Sequence, residues 1–254
     1  MIKGLYSAFT AMEAAWKYQD VLANNVANAN TAGFKREIGA QQSFADVLLS
    51  QQAGVPAPLS ARIQAVVGQI GSGTFMADFS TDFSGGALKT TGNELDFALD
   101  KGFFGVEGVD GEVFYTRDGR FNRDANGDLV TSHGYYVLNS AGGHINLPPD
   151  AVTVGSDGAI AGNGNVIDQL GVWDFAPAQL SRAGEAYFMS SEPGTPIDGG
   201  VRQGFIENSN SDMVEEMTTL LAVQRTYQAN QKILSVLDGT LDQAASSIGQ
   251  FGGQ

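Results

Sequence analysis

The stretch MVEEMTTLLAVQRTYQANQKILSVLDGTLDQAASSI, residues 213–248, decides the fold. Its apolar residues return at alternating steps of four and three, which is the heptad spacing of an amphipathic helix. Ser211 and Asp212 precede it as candidate helix caps, and Glu215 and Glu216 suit the positive end of the helix dipole. The sequence therefore predicts one helix about 54 Å long, at roughly 1.5 Å per residue. The predicted stripe is Met213, Met217, Leu220, Gln224, Tyr227, Gln231, Leu234, Asp238, Leu241, Ala245 and Ile248.

The other end of the chain shows the same pattern over a shorter length. Its stripe is Ile2, Leu5, Phe9, Met12, Trp16, Gln19, Ala23 and Val26. Polar residues in such a seam weaken an isolated helix pair but set register and oligomeric state in a larger assembly. Because both stripes lie outside the glycine-rich middle of the chain, we expect neighbouring subunits to cover them. The alternative is that each helix packs on the core of its own domain.

Four asparagines stand at the end of the first predicted helix, in VLANNVANANTAGFK, residues 21–35. Asparagine is a poor helix former, because its side chain competes for backbone hydrogen bonds. The group consists of Asn24, Asn25, Asn28 and Asn30, whose spacing spreads their amides over two helix faces. One interpretation is a frayed, solvated helix end, and the other is hydrogen bonding to neighbouring subunits. Thr31 and Gly33 then end the helix, with a positive φ at Gly33 and Phe34 as an apolar anchor.

The middle of the chain alternates short apolar runs with turn signals, as antiparallel β structure does. The sequence predicts strands at 103–106, 113–116 and 134–138, with turns at 109–112, 117–119 and 124–129. Further turns are expected at 156–158 and 163–164. Residues 36–84 are interpreted as a linker or extended arm, in which FADVLLSQQ (44–52) is a candidate short helix.

Composition excludes several classes of function. The formal net charge is −14, from 14 Lys+Arg against 28 Asp+Glu, and such a surface repels nucleic acid and anionic lipid. The absence of cysteine excludes disulfides and thiolate chemistry. No run approaches the roughly 18–20 apolar residues of a membrane span, so we expect no membrane insertion. Residues 1–20 lack the continuous apolar region of a secretory signal, which indicates a cytoplasmic protein or export without cleavage.

Signals for catalysis or a cofactor are weak. His133 and His144, the two histidines, lie in polar glycine-rich turns, and no metalloprotease or nucleophile-elbow motif occurs. Asp124–Leu129 resembles half of a calcium loop, but a hairpin turn explains it better. We expect no catalytic, metal or cofactor site. Two alternatives stay open: a cell-wall-active enzyme with a carboxylate pair in a cleft, and a binding module whose activity lies in the β-rich middle alone.

Three stretches of the chain resemble, in order, the signatures of flagellar rod and hook proteins. The first is NNVANANTAGFKRE (24–37), the second runs from TDFSGGALKTTGNELDF through HGYYVL (81–138), and the third is VRQGFIENSNSDMVEEM with its continuation (201–238). Residues 39–75 and 175–200 carry no signature. The resemblance implies a structural axial subunit of the flagellum and not an enzyme. It favours subunit contacts over a frayed end for the four asparagines.

What the resemblance implies for fold and partners agrees with the independent reading of the residues. The expected fold is α+β, with residues 1–35 and 205–254 as a discontinuous, coiled-coil-like assembly domain and 85–204 as a central antiparallel β-rich domain. The expected partners are further copies, other rod and hook proteins and the flagellar type III export apparatus, which passes such chains unfolded. The element L-x-x-x-G-x-x-x-F at 180–188 favours a proximal over a distal rod subunit. The expected location is the basal-body rod, periplasmic in a two-membrane cell.

The resulting candidate assembly residues are Leu5, Phe9, Met12, Trp16, Asn24, Asn25, Asn28, Thr31, Gly33, Phe34, Met213, Met217, Leu220, Gln224, Tyr227, Gln231, Leu234 and Leu241.

Overall fold

The computed structural model describes residues 2–39, 41–43, 47–51, 65–70, 74–76, 79–162 and 164–251. The chain divides into two compact units. The helical unit consists of residues 1–23, 38–80 and 217–254, and the β-rich unit consists of residues 24–37 and 81–216. The α+β class expected from the sequence is confirmed.

Two long helices account for the ends of the chain. Helix α1 spans Ile2–Ala27 and helix α2 spans Met213–Phe251, as the heptad patterns predict. Asp212 caps α2, because its Oδ1 accepts the backbone N–H groups of Val214 at 2.8 Å and Glu215 at 3.3 Å. Glu215 and Glu216 occupy the first turn, where the helix dipole favours negative charge.

Between the helices the chain first forms an antiparallel ribbon. Its strands are β1 (Glu37–Ile38), β2 (Gln41–Ser43), β3 (Val47–Gln51), β4 (Ala65–Ile70), β5 (Thr74–Met76) and β6 (Ser80–Thr81). The pairs nest, with β1 on β6, β2 on β5 and β3 on β4. The short helix considered for residues 44–52 is wrong for 47–51, because these residues pair with β4 as a strand. The rest of that segment lies outside the described residues.

Sixteen further strands form the β-rich unit. They are β7 (Leu88–Thr90), β8 (Phe97–Leu99), β9 (Phe103–Glu107), β10 (Val113–Thr116), β11 (Phe121–Arg123), β12 (Leu129–Thr131), β13 (Tyr136–Val137), β14 (Val152–Val154), β15 (Ala159–Gly162), β16 (Asn165–Gln169), β17 (Val172–Asp174), β18 (Leu180–Arg182), β19 (Tyr187–Ser190), β20 (Thr195–Pro196), β21 (Val201–Gln203) and β22 (Phe205–Glu207). The predicted strands at 103–106, 113–116 and 134–138 correspond to β9, β10 and β13.

One large antiparallel sheet organises this unit. Its order is β11-β12-β13-β9-β10-β19-β18, and β17 joins through β9 and carries β20. Strands β14, β15 and β16 form a second sheet, while β21 pairs with β8 and β22 pairs with β7. The last two pairs bring the chain back beside residues 88–99, and α2 begins a few residues after β22.

Two apolar clusters fill the β-rich unit. The larger cluster includes Phe97, Phe104, Val106, Leu129 and Ile145, all nearly inaccessible to solvent. Alternating positions of short strands supply it, which is why the sequence reads as brief apolar runs between turns. The smaller cluster packs Phe103, Phe175 and Phe188 edge to face, and Phe83 joins it. All members of both clusters belong to the β-rich unit.

Candidate functional site

The first candidate surface is the part of α1 in the helical unit. The positions that the chain itself covers include one row at three-four spacing, which is Leu5, Ala8, Met12, Ala15, Gln19 and Leu22. Ser7, Thr10, Ala11, Ala14, Tyr18 and Val21 beside this row are also covered. Of the predicted stripe, Leu5 and Met12 belong to this covered side. Phe9 and Trp16 remain 55% and 56% exposed, and Tyr6 beside them is 53% exposed. At every second position of the predicted stripe, the covered residue is the one before the predicted residue: Ala8 instead of Phe9, Ala15 instead of Trp16 and Leu22 instead of Ala23. The covered side is therefore rotated slightly from the predicted stripe.

Helix α2 shows the same rotation. Its covered side is Leu220, Val223, Tyr227, Asn230, Leu234, Leu237, Leu241 and Ala244. The predicted members Leu220, Tyr227, Leu234 and Leu241 are among them. Gln224, Gln231 and Asp238 are exposed, and the residue before each of them is partly covered instead.

Small side chains explain which faces meet. Ala11, Ala14, Ala15 and Tyr18 of α1 share one cleft with Met76 of β5 and with Val223 and Thr226 of α2. At the other end, a methyl group added to Gly4 would lie 3.8 Å from Leu237. Early residues of α1 thus lie beside late residues of α2, so the two helices run antiparallel. Alanine and glycine allow close approach of the helices, and the large aromatic side chains face outward.

The sides of α1 and α2 that the chain does not cover carry large apolar side chains, and these are about half exposed to solvent. On α2 these residues are Met217 at 51%, Leu221 at 53%, Ile233 at 48% and Val236 at 56% exposed. Met213 and Val214, which belong to the β-rich unit, are 38% and 71% exposed. Together with Tyr6, Phe9 and Trp16 we call those of the helical unit the outer helical faces. Large apolar side chains left exposed repeatedly along two helices favour an interaction surface.

Charge divides sharply between the two units. The β-rich unit has 9 Lys+Arg against 22 Asp+Glu, a formal charge of −13, whereas the helical unit has 5 against 6, a formal charge of −1. Like-charged surfaces repel one another, so the β-rich unit resists close association with its own copies. The helical unit meets no such penalty.

The second candidate site lies in the β-rich unit, where the last turn of α1 meets the residues that lead into α2. Asn25 is 1% exposed there. Its Nδ2 donates to the Glu37 carbonyl at 2.9 Å and lies 3.4 Å from the Glu216 carboxylate, and its Oδ1 accepts the Glu37 N–H at 3.0 Å. The amide therefore bridges two segments of the same chain.

The other asparagines differ in their surroundings. Asn28 is 6% exposed, and its Nδ2 donates to the Asn24 carbonyl at 3.1 Å while its Oδ1 accepts from the Thr31 hydroxyl. Asn24 and Asn30 point to solvent. The amides of Asn25 and Asn28 are thus satisfied within the chain, and the assembly proposal below does not use them.

Gly33 and Phe34 close this turn. Gly33 has a φ of +68°, as predicted, and its N–H donates to the Glu207 carbonyl at 2.8 Å. Phe34 is fully buried, and the Arg182 guanidinium lies 4.8 Å from its ring centroid. Phe34 is thus an apolar anchor within its own chain, and a place for it in an assembly interface stays a prediction.

Arg36 ties the same turn to the start of α2. Its N–H donates to Asn210 Oδ1 at 2.8 Å, and its guanidinium lies 3.3 Å from Asp82 and 3.8 Å from Glu216. Partial burial raises the pKa of the Asp82 carboxyl. Hydrogen bonds from the backbone and hydroxyl of Ser84, and then the Arg36 charge, outweigh this and hold that pKa below its ordinary value of 3.8.

A buried ion cluster lies beneath this turn. The Lys35 ammonium is 2.6 Å from Glu207 Oε1 and 2.6 Å from the Ser84 carbonyl oxygen. Arg117 reaches the second oxygen of Glu207 at 3.0 Å. Burial lowers the pKa of the Lys35 ammonium from its ordinary 10.5, and Arg117 lowers it further, while Glu207 opposes both effects. We call Lys35, Arg117 and Glu207 the buried ion cluster.

Sequence reasoning quoted these charged residues but assigned them no role. Lys35, Arg117 and Glu207 each lie within one of the three signature stretches, TAGFKRE, YTRDGRF and GFIENSN. The available signal was that each of the three charged residues stands one or two positions after an aromatic residue in its signature stretch. Their convergence was not visible, because the Lys35–Glu207 contact spans 172 residues.

Within the described residues, no group of three or more His, Asp or Glu residues is arranged to hold a metal ion. His144 pairs with Glu107 at 2.8 Å and stacks on Tyr136, and His133 contacts the Tyr187 hydroxyl at 3.0 Å. In the described part of the chain, no helix has the length and apolar character needed to cross a membrane.

Comparison with protein families gives three matches along the chain. Residues 5–35 match the flagella basal body rod protein model, and residues 100–166 match the D1 domain of flagellar hook protein FlgE/F/G. Residues 202–247 match the C-terminal region of the flagellar basal body rod FlgEFG proteins. The first match contains Asn25 and the third contains Glu216, the two sides of the junction between the end of α1 and the start of α2. The second match contains Arg117.

Relatives with curated names match over nearly the whole chain. Flagellar basal-body rod protein FlgG of Bacillus subtilis is 35% identical, over 96% of this chain and 98% of that protein. Flagellar basal-body rod protein FlgF of Rhizobium meliloti is 33% identical, over 98% and 99%. Flagellar hook-basal body complex protein FlhO of Bacillus subtilis is 29% identical, over 99% and 100%. Because the FlgG and FlgF relatives are more than 30% identical over almost its full length, the chain belongs to the family of flagellar basal-body rod proteins.

Proposed function

We propose that the chain is an axial subunit of the flagellar rod that polymerises helically through the outer helical faces and transmits torque from motor to hook. Rod proteins of this family are structural and not enzymes, and this chain is a structural protein of the flagellum. The single observation that carries the proposal is the contrast between the units. Exposed Phe9, Trp16 and Leu221 lie on a unit of charge −1, while a charge of −13 lies on the β-rich unit.

The physical argument concerns which surfaces can approach in a polymer. Burial of apolar area is favourable at roughly 25 cal/mol per Å², and the outer helical faces offer that area without strong repulsion. The acidic β-rich unit favours a position where copies are farther apart, outside the helical layer. Contacts that do not close into a ring generate an open helical assembly. A coiled-coil-like inner layer of α1 and α2 helices from many copies is the arrangement we propose.

The partners and the location follow from the same proposal. The chain contacts further copies and neighbouring rod and hook proteins, and it reaches them through the flagellar type III export apparatus without loss of a signal peptide. In a two-membrane cell this places the rod in the periplasm. Mass spectrometry of the subunit from isolated basal bodies tests the export route: an N-terminus at residue 1 or 2 supports it, and a cleaved N-terminus contradicts it.

The position along the rod is a further part of the proposal. The element Leu180, Gly184 and Phe188 favours a proximal subunit. It forms the β18–β19 hairpin, which places Phe188 in the smaller aromatic cluster and directs Arg182 to Glu37 at 2.8 Å. The curated relatives include both FlgG and FlgF proteins at similar identity.

Deletion of the chain from its organism, followed by imaging of isolated basal bodies, tests both parts of the proposal. Absent or truncated rods support an axial subunit. A very short stub supports a proximal position, and a longer rod that lacks only its outer end contradicts it. Complete rods with hooks would overturn the proposal as a whole.

A further inference from the structure

The buried ion cluster is a feature that the assembly proposal does not use. Relative exposure of the side chains is 0% for Lys35, 2% for Glu207 and 9% for Arg117. The one carboxylate also accepts the Gly86 N–H at 2.8 Å. All contacts of the cluster named here lie within the β-rich unit.

Its charges do not balance among themselves. Two cations share a single carboxylate, so removal of the Glu207 charge leaves Lys35 and Arg117 buried and mutually repulsive. Breaking a buried ion pair by removal of one partner is strongly destabilising, because the remaining charge is left without compensation. Removal of Lys35 has a different consequence, since Glu207 keeps Arg117 and the Gly86 N–H. The Ser84 carbonyl then keeps Asn210 as a donor at 3.3 Å.

The turn after α1, residues 33–37, makes backbone hydrogen bonds to residues outside the turn. The Gly33 N–H donates to the Glu207 carbonyl, the Arg36 N–H to Asn210 and the Glu37 N–H to Asn25. These partners come from other segments of the chain or from the last turn of α1. The larger apolar cluster does not include Lys35 or Glu207. Arg117 does reach that cluster, because its Nη1 donates to the Leu99 carbonyl at 3.3 Å. A latch separate from the core therefore requires that the cluster stay intact when the turn is released.

We propose that Glu207 is a positioning residue, a charge-controlled latch on β22 that holds residues 33–37 and so sets where the chain leaves α1. The charge contact between Lys35 and Glu207 acts in addition to the packing of Phe34 in this turn. This inference concerns the isolated chain and does not depend on the assembly proposal.

Hydrogen exchange measured by mass spectrometry on the full-length chain tests the latch. The variants are Glu207→Gln, Lys35→Met and the double variant. Arg202→Gln serves as matched control, because it breaks the exposed ion pair with Asp100 in the same unit. Peptides that cover 33–37 report on the latch. Peptides that cover 103–107 and 129–138 report on the core.

The expected result is a selective opening. Glu207→Gln accelerates exchange at 33–37 by about 100-fold, as expected for loss of a buried charge pair, while the core peptides and the control variant stay unchanged. In the double variant, residues 33–37 regain at least a tenth of the protection against exchange that Glu207→Gln alone has lost, because one of the two repelling cations is gone. A purely steric role for Glu207 predicts no such rescue.

Two results would overturn the inference. Unchanged exchange at 33–37 in Glu207→Gln would show that packing alone holds the turn. Equal acceleration in the core peptides would show that Glu207 supports the whole unit and not a separate latch. In Glu207→Gln protein too unstable to purify, Lys35→Met alone decides, because a latch that holds the turn through the Lys35–Glu207 ion pair loses protection at 33–37 in that variant and a turn held by packing alone keeps it.

Discussion

A methyl group added to Gly33 would lie 2.2 Å from the backbone nitrogen of Asp118, closer than any real carbon contact. Gly33 follows α1, and Asp118 follows β10, 85 positions along the chain. The exit from the N-terminal helix is thus pressed directly against the backbone of the β-rich unit. The positive φ of Gly33 is a second, separate requirement for glycine at this position.

Gly33→Ala should destabilise the β-rich unit by more than backbone strain alone. A left-handed conformation costs a residue with a side chain roughly 1–2 kcal/mol, and the clash with Asp118 adds to it. Gly134→Ala is the matched control, because Gly134 has a φ of +81° and open space around it. Urea unfolding followed by tryptophan fluorescence should show a larger loss for Gly33→Ala than for the control. Equal losses would show that the close approach has no energetic consequence.

Asn25→Ala should destabilise the β-rich unit by about 1–3 kcal/mol, because it leaves the partly buried N–H and carbonyl of Glu37 without the Asn25 amide. Asn24→Ala is the natural comparison, since the Asn24 side chain is exposed and its backbone carbonyl is unaffected. We expect that variant to stay within about 0.5 kcal/mol of the parent protein. Denaturant unfolding of both purified variants measures the difference. A larger effect of Asn24→Ala than of Asn25→Ala would contradict the structure of the junction.

The depressed pKa of Asp82 predicts a loss of stability in acid. A carboxyl whose pKa is lower in the folded state contributes stability above its ordinary pKa of 3.8, and the contribution fades as pH falls below that value. Asp82→Asn lacks this contribution at every pH. The difference in unfolding free energy between the parent protein and Asp82→Asn should therefore be present at pH 6 and shrink below pH 3.8. A difference that stays constant down to pH 2 would rule out a role for the Asp82 charge.

The local part of the fold could be predicted from the sequence. Heptad spacing predicted both helices, and the turn signals at 109–112, 124–129 and 156–158 predicted the hairpins that flank them. Each of these signals acts over a few residues. Gly33 belongs to the same group, because its place after a helix indicates a positive φ.

The faces on which the helices meet could not be predicted. The sequence analysis placed Phe9 and Trp16 in the seam because they are apolar residues at heptad spacing. The chain instead packs through Ala8 and Ala15, whose small side chains allow closer approach. Size and periodicity cannot distinguish a face covered within the chain from one left for a partner. The Lys35–Glu207 contact was hidden for a different reason, since pairing between distant segments follows only from the complete fold.

The most direct test of the account compares charged substitutions on the two units. Phe9→Asp with Trp16→Asp alters the outer helical faces, and Val109→Asp alters the β-rich unit at a residue that is 86% exposed. Each variant is expressed in a strain that lacks the chain, and its incorporation into isolated basal bodies is quantified. We predict that the double variant is absent from rods while Val109→Asp is incorporated normally. Normal incorporation of the Phe9 and Trp16 variant, or exclusion of Val109→Asp alone, would contradict assembly through the outer helical faces.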